Sequence, residues 1–193
     1  MIETAKPQQA PNIRAEGPDV FYCVDSVVSA GKPMIDFLKS QALNSARKRS
    51  RLCTHPDTSA LVHEMLIVHH RDVYVRPHRH IDKSESFHRI EGTALVILFG
   101  SDGSLRDVLE LSTADDAPFY FRIAAGVFHS FVIRSEWLVF HETTAGPFER
   151  SSMEFAQWSP DESDSVGVAA FSERLGQDVQ SFLVRGAARS ERH

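Results

Sequence analysis

The sequence predicts an all-β domain with a helix before it and a helical extension after it. Three observations carry this reading. Eight short segments rich in β-branched and aromatic residues crowd residues 60–160. Gly, Asp and Ser punctuate them, and no helix-length stretch intervenes, which favours a closed or sandwiched β unit over an α/β fold. Helical periodicity occurs only outside this block.

Taken in order, residues 1–18 carry Pro7, Pro11 and Pro18 with Gln8 and Gln9, and read as an irregular, mobile arm. Residues 19–59 form an N-terminal extension. In it, Val20 to Val24 is a short strand and a candidate for pairing with a second subunit, which would make a homodimer. Residues 33–46 are predicted helical, because Met34, Phe37, Leu38 and Leu43 recur near helical spacing after Pro33. The β-block spans 60–160. Its expected strands are Leu61 to Val68, Val73 to His80, Phe87 to Glu91, Ala94 to Phe99, Arg106 to Leu111, Pro118 to Ile123, Phe128 to Ile133 and Trp137 to Glu142. Asp102-Gly103 marks a turn between two of them. Residues 161–193 are an extension in which Ala169 to Val184 form a helix with Phe171, Leu175, Val179 and Leu183 on one stripe, and Ala187 to His193 fray.

Composition narrows the function classes. A chain of 193 residues with 42% apolar and 24% charged residues is an ordinary single globular domain. A formal charge of −5 argues against a general nucleic-acid binder. Two cysteines, Cys23 and Cys53, make no disulfide framework, so a reducing, cytoplasmic setting is expected. Met1 to Pro7 lacks the apolar core of a signal peptide, and the longest apolar run, Ala94 to Phe99, is too short to span a bilayer. The expected partner is a small molecule.

One run of residues points to chemistry. Arg76-Pro77-His78-Arg79-His80 is followed by Glu85 and then Gly92, and a later stretch reads Gly126-Val127-Phe128-His129. On a strand, residues two apart face the same way, so His78 and His80 can share a metal at the usual N–metal distance of about 2.0–2.1 Å. Residues 81–84 are polar enough for a turn that returns Glu85 to the histidines on a neighbouring strand. Gly92 and Gly126 sit where tight bends favour positive φ. The expected ligand set is His78, His80, Glu85 and His129, holding one divalent ion: Zn, Fe, Mn or Ni, with Cu also compatible.

His-x-His-x4-Glu-x6-Gly followed by Gly-x2-His resembles the two motifs of the cupin superfamily. Asp72, Pro118, Ala124 and Ile133 depart from the consensus, and none of them is a ligand position. A narrower resemblance, over about Ser45 to Pro160, is to the WbuC-type cupin fold metalloproteins. It is carried by Ala46-Arg47-Lys48-Arg49, Leu52-Cys53-Thr54-His55-Pro56, Tyr74 to His80, Gly126 to His129, Glu142, Gly146-Pro147-Phe148 and Phe155 to Pro160. Cys53 and His88 depart from that family's pattern. The resemblance implies a double-stranded β-helix, or jelly-roll barrel, and a metal, in proteins encoded with genes for surface polysaccharide (O-antigen) synthesis.

Parity and side-chain chemistry single out further residues. Tyr74 and Arg76 share the parity of His78 and His80 and are expected to face the same cavity, where Arg76 would hold a carboxylate or phosphate. His55 follows the family pattern as a pocket residue. Tyr74 and His55 are the candidate acid/base groups. Arg47, Lys48, Arg49 and Arg51 form a basic cluster suited to steering an anion such as a sugar nucleotide. His63, His69, His70, His88 and His141 carry no spacing argument and are read as structural or exposed, with His88 pointing away from the metal. Trp158 and Phe148 are expected to pack at a barrel end. The leading reading is a metal-dependent protein acting on a small sugar or sugar derivative, as an isomerase or epimerase. An Fe(II) cupin dioxygenase and a non-catalytic metal-dependent binding module are the alternatives.

Overall fold

A computed structural model describes residues 11–190, with side chains described through residue 186. The expectation for the first ten residues of the arm, and for the last three of the frayed tail, lies outside the described residues. Twelve strands and two long helices follow in the order β1 (Ile13–Ala15), β2 (Val20–Cys23), α1 (Lys32–Asn44), β3 (Arg49–Cys53), β4 (Val62–His70), β5 (His78–His80), β6 (Glu85–Glu91), β7 (Ala94–Phe99), β8 (Leu105–Leu111), β9 (Tyr120–Ile123), β10 (Phe128–Ile133), β11 (Trp137–Ala145), β12 (Met153–Phe155) and α2 (Ser165–Ser190). A single 3-10 turn, Arg150–Ser152, precedes β12.

The strands form two sheets, β1-β2-β3-β4-β11-β6-β9 and β12-β5-β10-β7-β8. If β4 to β11 are counted as first to eighth, the central orders are 1-8-3-6 and 2-7-4-5, all antiparallel. That order defines a jelly roll, the double-stranded β-helix expected from the sequence. No ladder closes one sheet onto the other among the described residues, so the molecule is a sandwich rather than a hydrogen-bonded barrel.

Each sheet has one face on the shared core and an outer face covered by a helix. Phe87, Phe121, Phe131 and Phe140 fill the space between the sheets, with Phe87 and Phe121 stacked at 4.7 Å. On one outer face α1 lays Met34, Leu38 and Ala42, spaced by four residues, onto Leu52, Leu66, Val68 and Val139. On the other, α2 lays Phe171, Leu175 and Val179 onto Leu95, Ile97 and Phe99. This covering explains why β4 and β7 read as continuous apolar runs rather than alternating ones.

Five differences from the sequence expectation appear. β1 forms inside the stretch expected as an irregular arm, pairing Ile13 with Cys23 of β2. β2 itself pairs in parallel with β3 of the same chain, and α1 is the crossover that such pairing needs. The strand expected over 73–80 shortens to His78–His80, since Pro77 offers no N–H and residues 71–77 join no ladder. β6 does not pair with β5; it crosses to the opposite sheet and pairs with β11 and β9. The helix over 169–184 is longer than expected, starting at Ser165. No helix among the described residues is long and apolar enough to cross a membrane.

Candidate metal centre and cavity

The two-sheet geometry decides where the predicted ligands go. β5 and β10 are neighbours in one sheet, with His78 and His129 in direct register. β6 lies across the sandwich, and its first residue, Glu85, faces them. His80 Nε2 lies 2.7 Å from Glu85 Oε1, and His129 Nε2 lies 3.1 Å from Glu85 Oε2. The His78 ring centroid is 4.5 Å from that of His129 and 5.8 Å from that of His80. One ligand atom each from His78, His80 and Glu85 fall within 4.8 Å of one another. Arg79, between the two histidines, turns the other way, onto Glu154 at 2.7 Å and over the Phe128 ring.

The donor set fits a divalent cation. His78 Nδ1 meets the Arg76 carbonyl at 2.9 Å and His129 Nδ1 meets that of Val127 at 3.0 Å. A proton on each Nδ1 leaves the Nε2 lone pairs free, which is how backbone carbonyls usually orient metal-binding imidazoles. Glu85 Oε2 is buried without a hydrogen-bond donor, and a buried orphan acceptor of this kind calls for an ion or water. Imidazole nitrogens of His78 and His80 and the Glu85 carboxylate form a set that suits Zn, Fe, Mn or Ni, and His129 Nε2 lies beside the same carboxylate. Burial, reinforced by the neighbouring His129, pushes His78 down to about 4, so its ring is neutral and able to ligate at physiological pH. Burial alone would raise the Glu85 carboxyl, but the adjoining His129 and His80 imidazoles outweigh it and hold the group well below the usual carboxylate range.

Gly92 and Gly126 adopt φ values of 85° and 81°. Gly92 packs on the Trp137 backbone so closely that a Cβ there would collide with its carbonyl. Gly126 donates its N–H to the His80 carbonyl, tying the turn before β10 to the end of β5.

The cluster opens into a cavity of about 470 Å³. Odd-numbered residues of β4 line it, His63, Met65, Ile67 and His69, and so do Phe140, Glu142 and Thr144 of β11. His55 is buried on its wall, stacked on His63 with centroids 4.1 Å apart, its Nδ1 lying between the N–H and C=O of Glu64. Burial lowers the His55 pKa and leaves the ring neutral. Arg76 also lines the cavity; its guanidinium lies over the Phe155 ring and pairs with Asp161 at 2.6 Å.

Tyr74 does not line this cavity, contrary to its parity. The residues from 71 to 77 are irregular, so alternation does not hold, and Val75 and Arg76 face the cavity in succession. Tyr74 instead packs on Phe171 of α2 and donates its hydroxyl hydrogen to the Pro160 carbonyl at 3.1 Å. Burial pushes the Tyr74 phenol to about 12, which leaves it a poor acid/base group. Phe148 is exposed at the cavity mouth rather than packed at an end, whereas Trp158 packs among Phe99, Phe128 and Phe171.

Three cavity groups escaped the sequence reading. His63 and His69 share parity with Met65 and Ile67, but the apolar residues on the opposite face, Leu66 and Val68, hid that alternation. His69 is buried edge-on to Phe140 at 5.2 Å, with Nδ1 unpartnered, and burial pushes it down to about 3. Glu142 shares parity with Phe140. Burial, then the charge of Glu85, raises its carboxyl to about 8, with Arg51 opposing, so it holds a proton at neutral pH. Cys53 also lines the cavity, and burial pushes its thiol up and keeps it protonated. His88 is exposed, on the face away from the metal cluster, beside Phe119.

Comparison with known proteins gives one family match, to a domain of unknown function (DUF6016), over residues 31–111. No curated protein matches the sequence. Among solved structures the chain is similar to protein SO0799 from Shewanella oneidensis, at 12% identity over 53% of this chain and 66% of that one, with a TM-score of 0.43. Similarity to oxalate decarboxylase from Bacillus subtilis is at 19% identity over 50% of this chain and 24% of that one, with a TM-score of 0.39. Similarity to procruciferin, an 11S globulin from Brassica napus, is at 13% identity over 49% and 23%, with a TM-score of 0.40. The chain therefore spans just under two thirds of the first and about a quarter of the other two. The strand order, not these likenesses, defines the fold.

Proposed function

We propose that the chain is a metal-binding cupin of the WbuC type that acts on a small polar molecule, a sugar or sugar derivative of surface-polysaccharide synthesis. The observation that carries this reading is the meeting of His78, His80 and His129 from one sheet with Glu85 from the other, on the wall of a cavity large enough for such a molecule. A divalent ion held by these four side chains would supply Lewis acidity to an oxygen of the ligand. The chain's own groups do the rest. The Arg76 and Val127 carbonyls fix the imidazole rings of His78 and His129. Glu142 and His55 both line the same cavity, His55 as a neutral imidazole. These two replace Tyr74 as the acid/base candidates of an isomerase or epimerase.

Elemental analysis of protein purified without a metal affinity column tests the first half, with one equivalent of Zn, Fe, Mn or Ni expected. A panel of sugars and sugar nucleotides, followed by NMR for turnover, tests the second. Iron with oxygen uptake would replace isomerisation by oxygenation. Stoichiometric metal with ligand binding but no turnover would leave a binding module.

A further inference from the structure

On the wall of the cavity, three guanidinium groups meet two carboxylates. Arg47 Nε lies 3.1 Å and Arg49 Nη2 3.3 Å from the same Glu162 side chain, and Arg76 Nη1 lies 2.6 Å from Asp161. Arg47, Arg49, Arg76 and Glu162 all line the cavity. The arginines come from two places in the chain, the turn entering β3 and the irregular segment before β5. The carboxylates come from a third, the turn that leads into α2.

This arrangement is built rather than incidental. Lys48, between the first two arginines, adopts φ 53°, a left-handed conformation that a non-glycine residue seldom takes. Strain of that kind persists where surrounding structure enforces it, and it gathers at binding sites. Here the kink lets residues on either side of Lys48 reach one carboxylate. Arg76 is fixed further, with its guanidinium 4.8 Å over the Phe155 ring and its Nε 3.4 Å from Ser159 Oγ. It is mostly buried, at 16% side-chain exposure, whereas Asp161 is 63% exposed. Arg76 is thus anchored with its carboxylate on the solvent side, Arg49 is somewhat more buried than Glu162, and Arg47 is the more exposed partner of its pair, at 49% against 33%.

Fixed arginines in a cavity wall suit planar or tetrahedral oxyanions. We propose that Arg47, Arg49 and Arg76 recognise the oxyanion end, phosphate or carboxylate, of the small molecule bound in this cavity, and that Asp161 and Glu162 are a built-in carboxylate cover which that end displaces. The inference rests on reading the cavity as a small-molecule site, but not on the metal. It divides the ligand in two: a charged end at the arginines and a polar end at the metal cluster. It also makes the turn at 161–162 a competitor, so ligand binding and movement of that turn are coupled.

The test is calorimetric titration of inorganic phosphate, and separately of succinate, into the full chain, with and without prior chelation of metal. Glu162→Gln removes the competing charge from an exposed turn and should leave the melting temperature nearly unchanged. It is expected to tighten phosphate or succinate binding by about two- to fivefold, the scale of one surface ion pair. The double variant Arg47→Gln/Arg49→Gln, checked to be folded by circular dichroism, should weaken binding by tenfold or more. A gain for phosphate alone identifies a phosphate site, and a gain for both ions identifies a general oxyanion site. Unchanged affinity for both ions in Glu162→Gln, or wild-type affinity in the folded double variant, overturns the proposal. Because binding is read on metal-free protein, failure of metal loading in the wild type would sink the metal reading and leave this result standing.

Discussion

At the scale of single residues, the proposed ligands make the sharpest demands. His78→Ala or His129→Ala removes one nitrogen from a set of three around a buried carboxylate. Each variant should lose stoichiometric metal while remaining folded, because both positions lie in paired strands whose ladders do not depend on the side chain. Metal analysis and circular dichroism on the same samples check this; full occupancy in the double variant would refute the ligand assignment. His88→Leu should leave occupancy intact, since His88 is exposed and of opposite parity to Glu85 on β6. His69 makes a different demand, on pH. Its folded pKa of about 3 lies below the ordinary 6.5, so between those values the unfolded chain binds the proton and the folded chain does not. Its contribution is intact above pH 6.5 and is lost progressively as pH falls toward 3, by at most about 1.4 kcal/mol per pH unit. His69→Leu should flatten that acid limb in urea titrations between pH 6.5 and 4. An unchanged slope would mean that the ring is not kept neutral by burial.

At the scale of elements, the site joins two sheets that otherwise meet through side-chain packing. β5 and β10 supply the imidazoles, and β6 supplies the carboxylate from the other side. A cation shared across that gap binds the folded state alone, so it stabilises by about 2.7 kcal/mol at a hundredfold excess over Kd. For a chain of this size that is a melting-point rise of roughly 5–10 °C on adding the right metal to chelated protein. Scanning calorimetry should show the rise in the wild type and not in His78→Ala. Phe87, two residues beyond Glu85, supports the same place. It is 2% exposed, stacks on Phe121, and lies 6.4 Å from the His129 ring. Phe87→Ala should cost about 3–5 kcal/mol and weaken metal binding, both measurable on one sample. The motif around His78, the glycine bends and the strands β7 and β10 were legible because each is local: a two-residue repeat, a positive-φ turn, an apolar run with clear ends. Tyr74, the short β5 and the placement of β6 were not, because a proline broke a ladder and a turn sent the chain to the far sheet. Those outcomes depend on which strand is available to pair, and local pattern does not carry that information.

At the scale of the whole molecule, the arrangement is four layers: α1, one sheet, the other sheet, α2. The cavity lies between the sheets, so its shape depends on both helices holding their sheets in place. The helical stripe of α2 was readable from Phe171, Leu175, Val179 and Leu183, but what it covers was not, since Leu95, Ile97 and Phe99 looked like an ordinary interior strand. Alternate residues of β7 serve two cores, Val96 facing the sandwich and Leu95 and Ile97 facing α2. Burying Phe171, Leu175 and Val179 contributes about 1.5–3 kcal/mol each, a sum comparable with the 5–15 kcal/mol of a whole domain. A chain ending at Asp164 keeps every proposed ligand and the Asp161–Glu162 turn but loses this layer. It should bind a hydrophobic dye strongly, lose its cooperative melting transition and fail to retain metal, although no metal-contacting residue has changed. A truncated chain that melts within a few degrees of the full one, with metal bound, would show that the jelly roll stands alone and that α2 serves another purpose. The intermediate variant Val179→Asp keeps the backbone and places one charge at a position only 1% exposed. It should reproduce most of the loss of stability, which separates the effect of burial from that of chain length.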